Sequence, residues 1–307
     1  MALSAASPPR SRRSVPEPPP RSVRALRTGL RVATAAIRGL GPLRYPLAQG
    51  VGMVAYAAEP QRRRRTAANH RRRDPSLSEA QARRLARQSF RGYAMVNVDF
   101  IWANAMDLDE VVRQTRLEGA ERVYAAVAEG PSAVLTLAHY GSWDMAALIA
   151  QSRGVDITTV MAPIGNGAMT DLVLWARQRN SLEVFTPERA ARGLIRALGR
   201  RRCVAILADM PEEGPQTVVQ YCGGPVQFST VPAWLASRTG AHILPVVCRR
   251  GIRGEPPYVA SILERVPCGP DDDATEVMQR VAARLEATVG EDPSQWYPFS
   301  EVYEAEG

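Results

Sequence analysis

The residues best suited to chemistry are a histidine and an aspartate close together in the chain, His139 and Asp144, in the segment HYGSWD. The run before them, SAVLTLA at 132–138, has the continuous apolar and β-branched character of a buried strand. Ser142 is a favourable N-cap for a following helix, which would place Asp144 in the first helical turn. His139 then falls on a tight connection at the carboxyl end of a strand, where open α/β sheets place their sites.

This pair indicates acid–base chemistry. If the Asp144 carboxylate folds back towards His139, it holds the imidazole in one tautomer, and the ring can take a proton from an alcohol that attacks an activated acyl group. The alternative is a structural histidine, the commoner role for a lone one. The two other histidines, His70 and His242, have no comparable carboxylate nearby in sequence. The pattern therefore favours a catalytic His139.

Two other side chains were candidates for a covalent nucleophile, Ser142 and Cys222. No GxSxG elbow surrounds Ser142, whose capping role explains it, and Cys222 lies in a glycine loop without a histidine nearby in sequence. We therefore predict direct transfer without an acyl-enzyme. The four cysteines show no CxxC spacing, so we expect free thiols and no metal site.

Short β-type runs alternate with helical segments along most of the chain. The predicted strands are 132–138, 157–161, 183–186, 203–209, 242–249 and 258–263; the predicted helices are 78–102, 143–152, 168–179, 188–199, 231–238 and 274–289. Such alternation predicts an α/β fold with a mostly parallel central sheet flanked by helices. The segment 218–228 differs, because Gly223-Gly224 separates two strand-like runs and predicts a hairpin or protruding loop.

The amino-terminal part differs in composition from the rest. Residues 1–22 are rich in Pro, Ser and Arg and predict a disordered tail. Residues 23–77 form a predicted membrane-associating segment, apolar with recurring arginines at first and then basic at 62–65 and 71–73. These basic runs indicate either a solvated face or attraction to anionic lipid. Residues 78–307 are then the predicted catalytic domain.

No run of about 18 uninterrupted apolar residues predicts an ordinary transmembrane helix, and no secretory signal is evident. We therefore expect peripheral or monotopic attachment to the cytoplasmic face of the plasma membrane. The net charge is +8 and every basic residue is arginine. Such a surface favours polyanions, namely nucleic acid, anionic lipid or a phosphorylated ligand. No recognisable module supports nucleic-acid binding, so we predict none.

The segment HxxxxD after an apolar strand resembles the first motif of the glycerolipid acyltransferase superfamily. Over roughly residues 24–303 the chain is similar to the branch that contains the late acyltransferases of lipid A synthesis and the phosphatidylinositol mannoside acyltransferases. The similarity is carried by LAHYGSWDMAA (137–147), Arg177 within LVLWARQRN, ILAD (206–209), QYCGGPVQF (220–228), TGAHILPV (239–246) and EDPSQWYPF (291–299).

The resemblance implies roles for several residues. His139 would be the general base and Asp144 its partner. Arg177 would approach the acyl carbonyl or a phosphate, with a solvated helix face as the alternative. Asp209 would shape the acceptor side, with a structural cap on the following loop as the alternative.

One departure concerns the glycine loop. Relatives commonly show two aromatic residues before the glycine, where this chain has Tyr221-Cys222. The mannoside enzymes carry an acidic residue upstream, where Val218 stands in this chain. Glu212 or Glu213 could supply that carboxylate on the acceptor side.

The reaction that the resemblance implies is transfer of a fatty acyl chain from an acyl thioester to a hydroxyl of a membrane glycolipid. The donor would be acyl-CoA or acyl carrier protein, as a co-substrate and without another cofactor. The acceptor would be a phosphatidylinositol mannoside or a lipid A precursor, and the lysine-free composition favours the mannoside. The alternative is a catalytically inactive peripheral membrane-binding protein of the same fold. The oligomeric state stays open.

Overall fold

The computed structural model describes residues 24–103, 106–163, 167–179, 181–211, 214–252 and 254–303; the predicted tail at 1–22 lies outside them. The helices are α1 (Arg24–Leu40), α2 (Arg44–Ala58), α3 (Pro60–Arg73), α4 (Glu79–Ala103), α5 (Leu108–Gln114), α6 (Ala120–Glu129), α7 (Trp143–Ser152), α8 (Gly167–Arg179), α9 (Pro187–Gly199), α10 (Val231–Thr239) and α11 (Ala274–Glu291). The strands are β1 (Thr115–Glu118), β2 (Ala133–Leu137), β3 (Ile157–Val160), β4 (Glu183–Phe185), β5 (Cys203–Leu207), β6 (Gln216–Tyr221), β7 (Gly224–Ser229), β8 (His242–Arg250) and β9 (Tyr258–Ile262).

Seven strands form the central sheet, in the order β1-β9-β8-β2-β5-β3-β4. The five strands from β8 to β4 are parallel, while β9 and β1 run the other way because β8 and β9 pair antiparallel. Strand β2 lies in the middle and is buried along its whole length, as expected for a parallel strand covered on both faces. The predicted fold class is confirmed, and all six predicted strands occur near their expected bounds.

Strands β6 and β7 form the predicted hairpin, apart from the main sheet. Its two turn residues, Cys222 and Gly223, have φ angles of +51° and +90°. Left-handed conformation at both positions is typical of the tight turns that match the twist of a hairpin. The hairpin lies against α11, where Gln279 bonds both backbone groups of Gln220.

Helices α2 and α3 pack against α4. Gly52 of α2 is buried, and a Cβ there would lie 2.5 Å from a backbone oxygen of α4, so the two helix backbones are in direct contact. In α3, the buried His70 places Nε2 3.0 Å from the Ser89 hydroxyl. The amide of Asn69 donates to the carbonyl of Pro298 at 2.9 Å, so α3 also holds the carboxy-terminal segment.

A buried ionic cluster ties the same helices to the sheet. The fully buried carboxylate of Asp99 in α4 accepts hydrogen bonds from Arg250 of β8 and from the hydroxyl of Tyr258 of β9. The hydroxyls of Tyr45 in α2 and Tyr258 lie 3.1 Å apart, and the Arg250 guanidinium lies over the Tyr45 ring. A buried charge requires such partners, so removing one of them would leave the others unpaired.

The predicted boundary between residues 77 and 78 therefore does not coincide with a break in packing. These contacts join the predicted catalytic domain, residues 78–307, to the helices that precede it. Within the described ranges, no helix combines the length and the apolar character needed to span a membrane. The exposed large apolar side chains of this region are Val32, Leu40, Leu43, Leu47, Val51, Met53 and Val54.

The contact between α2 and α4 predicts opposite effects for two glycines of α2. Gly52→Ala should lower the free energy of unfolding by about 1–3 kcal/mol, because its methyl group meets the α4 backbone. Gly50→Ala, at a position with open space around it, should raise it by roughly 0.5–1 kcal/mol through helix propensity. Denaturant unfolding of both variants measures this. Equal effects would mean that α2 does not pack on α4.

Candidate active site

The candidate site lies at the carboxyl ends of two neighbouring parallel strands, β2 and β5. Their last residues, Leu137 and Leu207, are paired in register. His139 and Asp209 each follow two residues later, and the bond from the amide of Ala208 to the carbonyl of Leu137 keeps the two chains together beyond the strands. The register therefore brings these two side chains together at the carboxyl ends of β2 and β5.

Asp209 binds His139 through both its backbone and its ring. Its two carboxylate oxygens lie 3.0 and 2.9 Å from the His139 amide nitrogen, and Oδ1 lies 2.9 Å from Nδ1. Because an ionised carboxylate only accepts hydrogen bonds, Nδ1 carries the hydrogen and the opposite nitrogen, Nε2, has the lone pair. The Asp209 side chain is 1% exposed, whereas that of His139 is 33% exposed. A buried carboxylate therefore holds a partly exposed imidazole.

The loop after His139 is fixed by close backbone contacts. Gly141 has a φ of +62°, and a Cβ there would lie 2.1 Å from the carbonyl oxygen of Cys248 in β8. Its amide donates to Gln295, and the amide of Ser142 donates to Cys248. Helix α7 begins directly after Ser142, as predicted, but the Ser142 side chain makes no capping hydrogen bond. The loop is therefore held by main-chain contacts and not by the expected serine cap.

Asp144 lies in the first turn of α7, as predicted, but its carboxylate binds a different partner from the expected one. Arg177 of α8 donates to Asp144 Oδ1 through Nε at 3.2 Å and through a terminal nitrogen at 3.0 Å. The two side chains are 16% and 21% exposed, so the pair is partly shielded from water. Asp209, and not Asp144, is the aspartate that bonds the ring of His139. Asp209 itself is buried beside this loop.

An open cleft of about 710 Å³ lies beside His139. Its described lining residues come from distant parts of the chain: Glu59, Pro60, Gln61, Arg62, Arg65, Tyr93, His139, Trp143, Met210, Tyr297, Phe299 and Ser300. Four of them are aromatic. The Trp143 ring lies 5.2 Å from the His139 ring and 6.3 Å from that of Tyr297, while Tyr93 contacts both Tyr297 and Phe299. These four side chains form an aromatic wall, and two arginines, Arg62 and Arg65, line the same cleft.

The two candidate nucleophiles are buried away from this cleft. Burial raises the pKa of the Cys222 thiol well above its usual range, which disfavours the reactive thiolate. Ser142 is 1% exposed, and neither residue is among the described lining residues. Burial also raises the pKa of the Tyr297 hydroxyl, so this cleft residue stays a neutral phenol. Among the residues with described placement, no group of His, Cys, Asp and Glu is arranged to hold a metal ion.

The family model for the bacterial lipid A biosynthesis acyltransferases matches residues 24–303, nearly the whole chain. The chain belongs to this family. The family is named for acyl transfer, and His139 lies beside the open cleft.

Two similar proteins are both named phosphatidylinositol mannoside acyltransferase. The one from Mycobacterium tuberculosis is 28% identical over 197 residues, which cover 63% of this chain and 60% of that protein. The one from Mycolicibacterium smegmatis is 27% identical over 225 residues, covering 69% and 70%. A solved structure, the 1-acyl-sn-glycerophosphate acyltransferase PlsC from Thermotoga maritima, covers 86% of this chain and 97% of its own at 14% identity and a TM-score of 0.38. That score is too low to compare the sites.

The predicted site residues are therefore only partly together. His139 and Asp209 are in direct contact, while Asp144 and Arg177 form a separate pair. Glu212 and Glu213 lie outside the described residues. The aromatic and basic lining of the cleft was not predicted as a site. Its strongest signal in the sequence is the carboxy-terminal segment EDPSQWYPF, which supplies Tyr297 and Phe299 to the lining.

We expect the tautomer of His139 to depend on Asp209. In the unaltered protein at neutral pH, His139 should carry its hydrogen on Nδ1, and Asp209→Ala should abolish this preference because the acceptor is lost. The matched control Asp144→Ala should keep it, since Asp144 binds Arg177. Nitrogen NMR of isotope-labelled histidine measures the tautomer, and only three histidines must be assigned. An unchanged tautomer in Asp209→Ala would refute the pairing.

Proposed function

We propose that the protein transfers a fatty acyl chain from an acyl thioester to a hydroxyl of a membrane glycolipid, with His139 as the general base. The observation that supports this most strongly is the partly exposed His139 ring, which bonds a buried carboxylate and borders an open cleft. Family membership supplies the class of reaction. A general base must reach a substrate proton and must be held in one tautomer. The place of His139 in the cleft lining supports the first condition, and its bond to Asp209 supports the second.

In the proposed mechanism, Nε2 of His139 takes the proton of the acceptor hydroxyl while its oxygen attacks the thioester carbonyl carbon. A tetrahedral intermediate forms. It collapses as the carbon–sulfur bond breaks, and the leaving thiolate recovers the proton from the imidazolium. The products are an ester and a free thiol. The buried carboxylate of Asp209 favours the transient imidazolium, as the third residue does in other acid–base assemblies.

The other predicted residues take different parts in this proposal. Asp144 acts as a positioning residue for Arg177, because their hydrogen bonds join the first turn of α7 to α8. Arg177 so held would face developing charge on the donor side. Glu213 would supply the acceptor-side carboxylate. The burial of Cys222 supports direct transfer without an acyl-enzyme.

The donor and the acceptor are proposed by chemical class. Acyl-CoA and acyl carrier protein both present the chain as a thioester, which is activated enough for attack by an alcohol. Two relatives named for phosphatidylinositol mannoside favour that glycolipid as acceptor over a lipid A precursor. The aromatic wall of the cleft also suits a glycolipid, because the faces of sugar rings pack on aromatic side chains.

We further propose that α2 attaches the protein to the cytoplasmic face of the plasma membrane. Four exposed apolar residues recur along one face of this helix and the turn before it, namely Leu43, Leu47, Val51 and Val54. Exposed apolar side chains in such a stripe favour a bilayer interface. Helix α3, which follows almost directly, contributes Arg62 and Arg65 to the cleft. The cleft would then open near the headgroups.

His139→Ala should lower the rate of acyl transfer by roughly a hundred- to ten-thousand-fold, the usual contribution of a general base. The matched control is His242→Ala. His242 is the first residue of β8 and therefore lies at the end of the parallel strands opposite to His139. It should keep the activity. The assay follows radiolabelled acyl chain from acyl-CoA to phosphatidylinositol mannoside, with thermal melting of each variant. Full transfer by folded His139→Ala protein would refute the mechanism, and no transfer by the unaltered protein would favour the inactive membrane-binding alternative.

Membrane attachment is tested by substitutions, because removing α2 would also disrupt its packing on α4. Leu47→Ser with Val51→Ser should lower binding to phosphatidylinositol-containing vesicles roughly tenfold or more, since burial of two apolar side chains is lost. The control Val218→Ser changes an exposed valine of the β6–β7 hairpin, 42% exposed. Vesicle sedimentation measures both. Equal binding by the two variants would exclude α2 as the attachment surface.

A further inference from the structure

The cleft beside His139 contains two arginines that the proposed acid–base step does not use. Arg62 and Arg65 lie one turn apart on α3 and both line the cleft. They share it with four aromatic side chains and with the partly exposed imidazole. An arginine in a run of arginines is usually a solvated surface residue. Arg64 and Arg65 are both exposed, but of the two only Arg65 is among the described lining residues of the cleft.

Arg62 is held in place by aromatic and ionic contacts. Its guanidinium lies 4.4 Å from the ring centre of Phe299 and 5.9 Å from that of Phe90. One terminal nitrogen lies 3.1 Å from Glu59. A guanidinium has five N–H donors in a rigid fork, so one ion pair leaves donors for a further anion. Stacking on Phe299 keeps that fork within the cleft before any ligand arrives.

Arg65 is held more weakly. Its described ion pair is to Glu301 at 2.9 Å, and the Glu301 side chain is 81% exposed. Solvent-exposed ion pairs contribute little, so an incoming anion can displace Glu301 at small cost. Two guanidinium groups one helical turn apart match an anion with several oxygens. Arginine binds phosphate in this way, with paired and charge-assisted hydrogen bonds.

We infer that Arg62 and Arg65 form a phosphate-binding subsite in the His139 cleft, which positions a phosphorylated substrate for acyl transfer. This inference rests on the proposed function, because both substrate classes carry phosphate. The acceptor has a phosphodiester between its glycerol and inositol, and the donor has the phosphates of coenzyme A or of the carrier's prosthetic group. Arg62 and Arg65 hold the phosphate while the aromatic wall packs against the adjoining part of the same substrate.

The test measures binding alone, without turnover. Glycerophosphoinositol is compared with myo-inositol, and coenzyme A with pantetheine, by isothermal titration calorimetry. The unaltered protein should prefer the phosphorylated member of at least one pair. Arg62→Gln with Arg65→Gln should weaken binding of that member roughly tenfold or more, because charge-assisted hydrogen bonds are lost. The matched control Arg64→Gln, on the same helix but outside the cleft, should leave it unchanged.

The outcomes separate the possible sources of the phosphate. Loss for glycerophosphoinositol alone assigns the subsite to the acceptor, and loss for coenzyme A alone assigns it to the donor. If the double variant is unstable, Arg65→Gln alone serves, because its described ion pair is to an exposed residue. Equal binding of both members of each pair, or an equal loss in Arg64→Gln, would overturn the inference. If phosphate binding depends on Arg62 and Arg65 but the protein transfers no acyl chain, only the proposed reaction is refuted.

Discussion

A single buried carboxylate determines the geometry of this site. Asp209 accepts from the backbone and from the ring of His139, so one group fixes both the path of the chain after β2 and the orientation of the imidazole. An ionised side chain that is 1% exposed is tolerated only with such bonds. The ring itself is 33% exposed and borders the cleft. The register of β2 and β5 thus positions both members of the pair.

The rest of the cleft is assembled around this support from elements far apart in the chain. Helix α3 and the carboxy-terminal segment form its rim, joined by Asn69, which bonds the carbonyls of Pro298 and Ser300. The ionic cluster around Asp99 holds α4 and α2 against β8 and β9. Helices α3 and α4 therefore line the cleft directly, and α2 packs against α4 behind them. Changes in their packing should alter the cleft directly.

The sequence was informative about elements and less so about contacts between them. Apolar runs and turn residues predicted the six principal strands, the hairpin and the helices that follow, because these signals are local. Helices α5 and α6 and the short edge strand β1 were not predicted; β1 has only four residues and alternating burial. Proximity in sequence suggested Asp144 as the partner of His139. The observed partner, Asp209, depends on the register between β2 and β5, which no local pattern encodes.

The close approach of Gly141 to β8 has a consequence for natural variation. Every other residue carries a Cβ, and at this position that atom would lie 2.1 Å from a backbone oxygen, which cannot move aside as a flexible side chain could. No missense change at codon 141 can therefore be accommodated without displacing the loop that carries His139. A natural variant that alters this one glycine is therefore expected to shift His139 relative to Asp209 and the cleft.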